Sequence, residues 1–441
     1  MQPALVIAAL ALATIMMSSH MELGSAGRER ARNLGEYANS LLQAALNDSS
    51  TDPALAQAFL VLTLFELCPH PGHSPQRAND HVLFLDRLIR SQQLTFVDAD
   101  DPEVSRFAPK AVPIVQDRRM YDPPKKCSCP RSPLDDPVAH ALLPSWASVP
   151  PWEPSWNPAE VEKEECRRLC WSALSIISCQ SVTSSAFDKD PPDFFLSDPA
   201  NFTILFPGEV SLRAHPMDDA AVLPKESVWA LHCRSMLLWN SCIRQKNEGL
   251  GEKEKAEFAI EAWRESQAIQ DSLEIHVCSS NTVLSHSCRE YLYNTRMYIT
   301  TEFRRLQGVD QSVGGLNSQR HAGDWLAYQR TVAKRVQSSV FESSGRSLAR
   351  HPLQLGWFTT QVSICLHLWD HDRSMTEALE VAKMFLLPVD TLTTMFPCQA
   401  MEMIRDRLHE HLTKACMYSG LTAPAPPSTS PIQPPYHSIH M

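Results

Sequence analysis

The chain has 441 residues, of which 44% are hydrophobic and 20% are charged, and these proportions exclude disorder as its main state. The 40 lysines and arginines against 50 aspartates and glutamates leave a formal net charge of -10, which excludes a general attraction to the phosphates of nucleic acids. With only 14 glycines but 33 prolines, the composition favours long helices joined by stiff connections.

The first hundred residues predict a stack of three or four antiparallel helices. Residues 3–17, PALVIAALALATIMM, are apolar throughout. A secretory signal peptide is the alternative, but the run lacks the basic residues that precede such a segment and is shorter than a membrane span. We therefore interpret it as a buried helix. Helical spacing of apolar residues continues in 25–47, and the pairs Asp52–Pro53 and Ser74–Pro75 are typical of two further helix starts.

Residues 100–157 form a proline-rich stretch, and prolines cannot sustain a helix interior. Three tryptophans in its second half, Trp146, Trp152 and Trp156, favour packing of that half on the domain, because so much aromatic surface is seldom left in water. Cys127 and Cys129 stand beside two lysines, whose charge would lower a thiol pKa. No histidine or third cysteine is near them in the sequence, so we interpret both as ordinary loop cysteines.

A helix is predicted from Pro158 onward, because Asn157 is a suitable cap and Glu160 stands where a capping carboxylate is expected. Along it, Cys166 and Cys170 fall on an apolar stripe, and we expect both thiols to be buried, reduced and free of metal. A structural zinc site would need closely spaced pairs of cysteines. The 13 cysteines are odd in number and scattered, which argues against a disulfide framework and for a reducing compartment.

The rest of the chain predicts an ordered loop at 193–210, helices from residue 224, a soft break at 307–324, and more helices up to residue 418. The predicted fold class is all-α, a single large multi-helical domain with long proline-rich loops. We divide it into an N-terminal helical part (1–99), a proline-rich loop (100–157), the main helical part (158–418) and a disordered proline-rich tail (419–441).

The motifs of common catalytic sites are missing from the sequence. It contains no phosphate-binding glycine loop, no nucleophile elbow and no paired-histidine zinc motif. The 17 histidines show no clustering with carboxylates beyond chance. We therefore expect that the chain is not an enzyme and that it holds no cofactor or metal.

Two segments, EECRRLCWSALSIIS (164–178) and FFLSDPANFTILFPGE (194–209), resemble the hallmark of the regulatory, or middle homology, domain of fungal zinc-cluster transcription factors. Helical segments before and after them are similar to other helices of that domain, so the resemblance covers roughly residues 1–418. The positions that carry it, which we call the hallmark residues, are Glu165, Arg167, Arg168, Trp171, Asp198, Pro199, Phe206, Pro207, Gly208 and Glu209.

This resemblance implies a nuclear regulator of RNA polymerase II target genes. Its expected partners are the transcription machinery or co-regulators, and no membrane is expected among them. A homodimer and a small-molecule effector are both compatible with the resemblance. Members of the family bind zinc and DNA through a six-cysteine cluster, which is absent from this chain. We therefore expect contact with DNA only through a missing N-terminal reader or a partner protein.

Two other functions remain as alternatives. The first is a helical scaffold for protein interactions without a link to DNA. The second is a secreted helical protein, which predicts cleavage near residue 20 and glycosylation at Asn201, within the sequon Asn201-Phe202-Thr203.

Overall fold

A computed structural model of the chain describes residues 2–47, 52–115, 152–187, 189–214, 224–246, 249, 251–276, 283–303, 318–342 and 346–427. These ranges contain thirteen α-helices and no β-strand, which confirms the all-α fold class. The helices are α1 (Pro3–Met16), α2 (Gly24–Asn47), α3 (Pro53–Leu67), α4 (Pro75–Ser91), α5 (Pro158–Ala186), α6 (Glu209–Ala214), α7 (Val228–Gln245), α8 (Glu252–Ile275), α9 (Val283–Glu302), α10 (Ser318–Glu342), α11 (Gln354–His371), α12 (Thr376–Met395) and α13 (Gln399–Tyr418).

The chain forms two compact units. The first unit consists of Met1–Val82, Thr183–Lys189 and Leu326–Met441, and the second consists of Leu83–Val182 and Asp190–Trp325. Helices α4, α5 and α10 each contribute residues to both units. No helix in the described ranges is both long enough and apolar enough to cross a membrane.

In the first unit, α1 packs against α2 and α3. The side of α1 that carries Ala4, Ala8 and Ala11 is buried, but Leu10 on the other side is 48% exposed. The predicted helix is therefore confirmed, and its burial is confirmed for one face only. The predicted caps of the next two helices are also confirmed, since Asp52 accepts a hydrogen bond from the Ala54 amide at 2.9 Å and Ser74 accepts one from the Arg77 amide at 3.1 Å.

The C-terminal part of the first unit contains α11, α12 and α13, which pack on one another. Helix α10 corrects the sequence prediction, because it begins at Ser318 inside the break that we expected at 307–324. Its apolar residues repeat with a helical period and are buried: Leu326, Ala333, Val336 and Val340. Burial of this stripe stabilises the helix despite Gly323 in its first turns.

The second unit is built around α7, α8 and α9, which all contact one another. Their shared core includes Leu231, Leu238, Ile269, Leu292 and Ile299. The Cys288 thiol of α9 donates to the Leu231 carbonyl of α7 at 3.5 Å, and Tyr298 of α9 lies 6.0 Å from Trp239 of α7, ring centre to ring centre. Helices α7 and α9 therefore run parallel, with the core between them and α8.

The segment 193–210 is ordered against the core, as predicted. It contains two short 3₁₀ turns, Phe195–Ser197 and Pro199–Asn201. Most of its large apolar side chains are buried: Phe194, Leu196, Phe202, Ile204, Leu205 and Phe206. This segment therefore belongs to the core of the second unit although it has no long helix.

Part of the predicted loop and tail can be compared with the structure. Cys127, Cys129 and Trp146 lie outside the described residues, as do residues 428–441. The described start of the tail is hydrogen-bonded to two helices: Trp369 Nε1 donates to Ser419 Oγ at 3.0 Å, and Lys383 Nζ donates to the Thr422 carbonyl at 3.2 Å.

The expected burial of the thiols on α5 is confirmed, since Cys166 and Cys170 are buried. Burial raises the pKa of Cys166 to about 11 and that of Cys170 well above its usual value, so both stay protonated at neutral pH. Cys179 on the same helix is exposed.

We expect Cys170→Ala to lower the free energy of unfolding by about 1 kcal/mol, because it removes a buried sulfur from a packed core. Urea denaturation followed by circular dichroism measures the change. Cys179→Ala on the exposed side of α5 is the matched control and should leave stability nearly unchanged. A zinc content of the purified chain that falls in the Cys170→Ala variant would contradict the packing interpretation.

Candidate functional site

The hallmark residues lie on α5, on the loop that follows it and at the start of α6. Helix α5 begins where the sequence predicts, because the Asn157 side chain accepts a hydrogen bond from the Glu160 amide at 3.0 Å. This start fixes the orientation of the helix face that carries Arg167 and Trp171. All contacts of the hallmark residues described below lie within the second unit.

Arg167 is the centre of the site and is only 2% exposed. Its Nε and Nη2 donate to the two carboxylate oxygens of Asp98 at 2.8 and 2.7 Å, a bidentate pair. Its Nη1 donates to Glu160 at 2.7 Å and to Glu164 at 3.2 Å. Burial by itself lowers the pKa of Arg167, but the hydrogen bonds and charges of Asp98 and Glu160 outweigh burial and raise it.

Asp98 connects three segments of the chain that are distant in sequence. It follows α4, it binds Arg167 on α5, and its Oδ2 also accepts a hydrogen bond from the Leu205 amide at 2.9 Å. Sequence reasoning missed this residue. The available indication was the buried position of Arg167 on the helix, because a buried guanidinium requires a carboxylate partner.

Trp171 holds the same loop from the next turn of α5. Its Nε1 donates to the Leu205 carbonyl at 2.9 Å. Its ring stacks between Phe202 and Phe206, with ring centres 5.2 and 5.3 Å away and planes 22° and 23° apart. The carbonyl and the amide of Leu205 are therefore both hydrogen-bonded. Trp171 on α5 binds the carbonyl, and Asp98, which pairs with Arg167 on α5, binds the amide.

Pro207, Gly208 and Glu209 turn the loop into the short helix α6. Gly208 has a φ of 77°, a left-handed conformation that favours glycine. Glu209 accepts a hydrogen bond from the Phe206 amide at 2.9 Å and pairs with Arg213, which also binds Asp101 at 3.1 Å. Burial raises the pKa of Glu209, and Arg213 opposes this shift.

The remaining hallmark residues lie at the edge of this arrangement or outside it. Arg168 donates to Glu164 at 2.9 Å and stacks 4.0 Å from the ring centre of Trp152. Asp198 caps the second 3₁₀ turn, which Pro199 begins, by accepting from the Ala200 amide at 3.0 Å. Glu165 is exposed on α5. The structure therefore brings Arg167, Arg168, Trp171, Phe206 and Glu209 together but not Glu165 or Asp198.

Asn201 bears on the hypothesis of a secreted glycoprotein. Its side-chain nitrogen, the atom that a glycan would modify, donates to the Phe195 carbonyl at 2.7 Å. The same loop is also bound by Asp86 of α4, which accepts hydrogen bonds from the amides of Phe195 and Leu196 at 2.8 and 2.9 Å. A glycan at Asn201 would replace one of the two hydrogens on this nitrogen, so only the other could keep the bond to Phe195.

We call the set of Asp98, Glu160, Glu164, Arg167 and Trp171 with the backbone of Leu205 the hallmark clamp. Its three carboxylates all pair with the one guanidinium of Arg167, and it contains no nucleophile placed beside a base. Among the described residues, no group of three or more histidine, cysteine or acidic side chains is arranged to hold a metal ion. The arrangement can hold three chain segments in a fixed geometry, which is a structural role.

A second buried cluster of charged groups lies in the first unit, around Glu66 at the end of α3. Glu66 binds Arg77 at 2.6 Å and lies 3.4 Å from His70 Nε2, and its backbone carbonyl accepts from His73 Nδ1 at 2.8 Å. We did not predict this cluster from the sequence, because we found no clustering of histidines with carboxylates beyond chance there. The contact between Glu66 and His70 could have been predicted from the sequence, because the two residues are four apart at the end of a helix.

Comparison of the chain with models of protein families, with curated proteins and with solved structures found no match.

Proposed function

We propose that the chain is the helical regulatory domain of a transcription regulator of the fungal zinc-cluster type, acting in the nucleus on RNA polymerase II target genes. In this proposal it exchanges signals with co-regulators or the transcription machinery and does no catalysis. It contacts DNA through a separate reader or a partner protein, because its own net charge of -10 is unfavourable for binding phosphates.

The observation that supports the proposal is the place of the hallmark residues in the structure. Arg167 and Trp171, which carry much of the resemblance, are both buried. Trp171 binds Leu205, in the segment that ends in Phe206, Pro207 and Gly208, and Arg167 is connected to the same residue through Asp98. The two segments that carry the resemblance, 164–178 and 194–209, are thus joined in one hydrogen-bond network.

The proposal is tested by attaching the full chain to a heterologous DNA-binding domain and measuring transcription of a reporter gene that carries its sites. We expect a several-fold change in reporter transcription, in either direction, relative to the DNA-binding domain alone. Arg167→Leu should abolish the change because it breaks the hallmark clamp. Lys163→Leu, an exposed cation on the same helix, is the matched control and should retain it.

Unchanged transcription with an intact, nuclear fusion protein would contradict the proposal. Capture of a stable assembly outside the nucleus, together with an inert reporter, would favour the scaffold function instead.

A further inference from the structure

The second unit contains a polar junction where α5, α7 and α9 meet. On one side of it the polar groups are fully paired. Asn240 of α7 donates to Ser178 Oγ at 2.7 Å and to the Met236 carbonyl at 2.9 Å, and it accepts from Ser181 Oγ at 3.0 Å. This side is a completed hydrogen-bond network between α5 and α7.

The other side, on α7 and α9, carries five polar side chains with buried atoms that have no hydrogen-bond partner. We call these residues the α7–α9 seam. The atoms are His232 Nδ1, Trp239 Nε1, both amide atoms of Asn294, Thr295 Oγ1 and Tyr298 OH. Asn294 is only 4% exposed and Thr295 is fully buried.

These residues share one face on each helix. His232 and Trp239 are seven residues apart on α7, which places them on the same side two turns apart. On α9, Thr295 and Asn294 lie three and four residues before Tyr298, so each of them is a neighbour of Tyr298 on the helix surface. The two faces meet, because Tyr298 packs on Trp239 with ring centres 6.0 Å apart and Tyr291 lies 6.0 Å from His232.

The seam is electrically neutral. Burial is the cause that lowers the pKa of His232, and no carboxylate offsets it, so the imidazole is uncharged at neutral pH. The other four seam side chains are also uncharged at that pH. A neutral molecule would find here an indole N–H, an amide that both donates and accepts, and two hydroxyl groups.

Each buried polar group without a partner costs about 1–3 kcal/mol, and native proteins contain few of them. Six such atoms along one helix interface would therefore be costly, and hydrogen bonds to a bound molecule would remove that cost. We propose that the α7–α9 seam is a binding site for a neutral polar molecule with both hydrogen-bond donors and acceptors. Ordered water and a small neutral organic molecule share this chemistry, and the experiment distinguishes them. The inference stands independently of the proposed function.

The test removes one unpaired oxygen at a time with almost no change of shape, in Tyr298→Phe and Thr295→Val. If a molecule occupies the seam, each variant loses a hydrogen bond to it, and the thermal midpoint Tm should fall by about 2 °C. If the seam is dry, each variant removes an unsatisfied group, and Tm should stay the same or rise. Tyr37→Phe on α2, where the ring is mostly exposed, is the matched control.

Native mass spectrometry of the intact purified chain separates the two sources. An added mass that is present in the parent chain and lost in Tyr298→Phe, with a lowered Tm, identifies an organic ligand. A lowered Tm without an added mass identifies ordered water. A Tm that is unchanged or higher in both variants, with no added mass, overturns the inference.

Discussion

Arg167→Leu is expected to lower the free energy of unfolding by about 3–5 kcal/mol, since removing one partner of a buried ion pair leaves the other charge buried without compensation. Asp98 would be left in that state, because its side chain is only 2% exposed, whereas Glu164 would keep its ion pair with Arg168. Asp98 would keep its hydrogen bond from the Leu205 amide, but that bond does not neutralise its charge. Urea denaturation followed by circular dichroism measures the effect.

Two variants give this prediction its controls. Lys163→Leu removes an exposed cation from the same helix and should change stability by less than about 0.5 kcal/mol. The double variant Asp98→Asn with Arg167→Leu should cost less than the sum of the two single changes, because the pair acts as a unit. Additive effects, or a loss below about 1 kcal/mol for Arg167→Leu, would show that the hallmark clamp does not stabilise the fold.

Acidification is expected to destabilise the chain through His232. Burial lowers the pKa of this imidazole from 6.5 to about 4, so the unfolded chain binds the proton more readily than the folded one. The part of the folding stability that depends on a neutral His232 is therefore fully present above about pH 6.5. It is lost as the pH falls from about 6.5 to about 4. Between pH 7.5 and pH 5 the loss from this one group amounts to about 2 kcal/mol.

The measurement compares unfolding at pH 7.5 and pH 5 in the parent chain and in His232→Gln. The difference between the two pH values should be about 2 kcal/mol smaller in the variant. Other histidines whose pKa is lowered by burial, His73, His81 and His351 among them, are present in both proteins and cancel in this comparison. His371→Gln at an exposed position controls for the loss of an imidazole as such. Equal pH dependence in the parent chain and His232→Gln would contradict the prediction.

The features that the sequence predicted correctly are mostly local ones. The helix starts at Asp52, Ser74 and Asn157 depend on side chains that cap amides two or three residues away, so they could be predicted from the sequence. The burial of Cys166 and Cys170 followed from helical spacing alone. Asp98, by contrast, meets Arg167 across 69 residues, and no local pattern indicates which of several aspartates near residue 100 reaches it.

The start of helix α10 differs from the prediction for another reason. The predicted break contains the glycines at 314, 315 and 323, and the apolar period of the helix begins only at Trp325. A side chain at Gly323 would meet no atom within 4 Å, so this glycine is not needed for packing and only weakens the helix slightly. Buried Trp325 and Leu326 supply enough apolar contact to offset that weakness.

The bidentate pair between Asp98 and Arg167 also closes a large loop of the chain. The entropic cost of closing a loop grows only with the logarithm of its length, so doubling the 69-residue separation would cost only about 0.6 kcal/mol more. The loss expected from breaking the pair is several times larger. Natural variants of this protein can therefore differ widely in the length of the stretch between these two residues and keep the same fold, as long as both ends of the pair are retained.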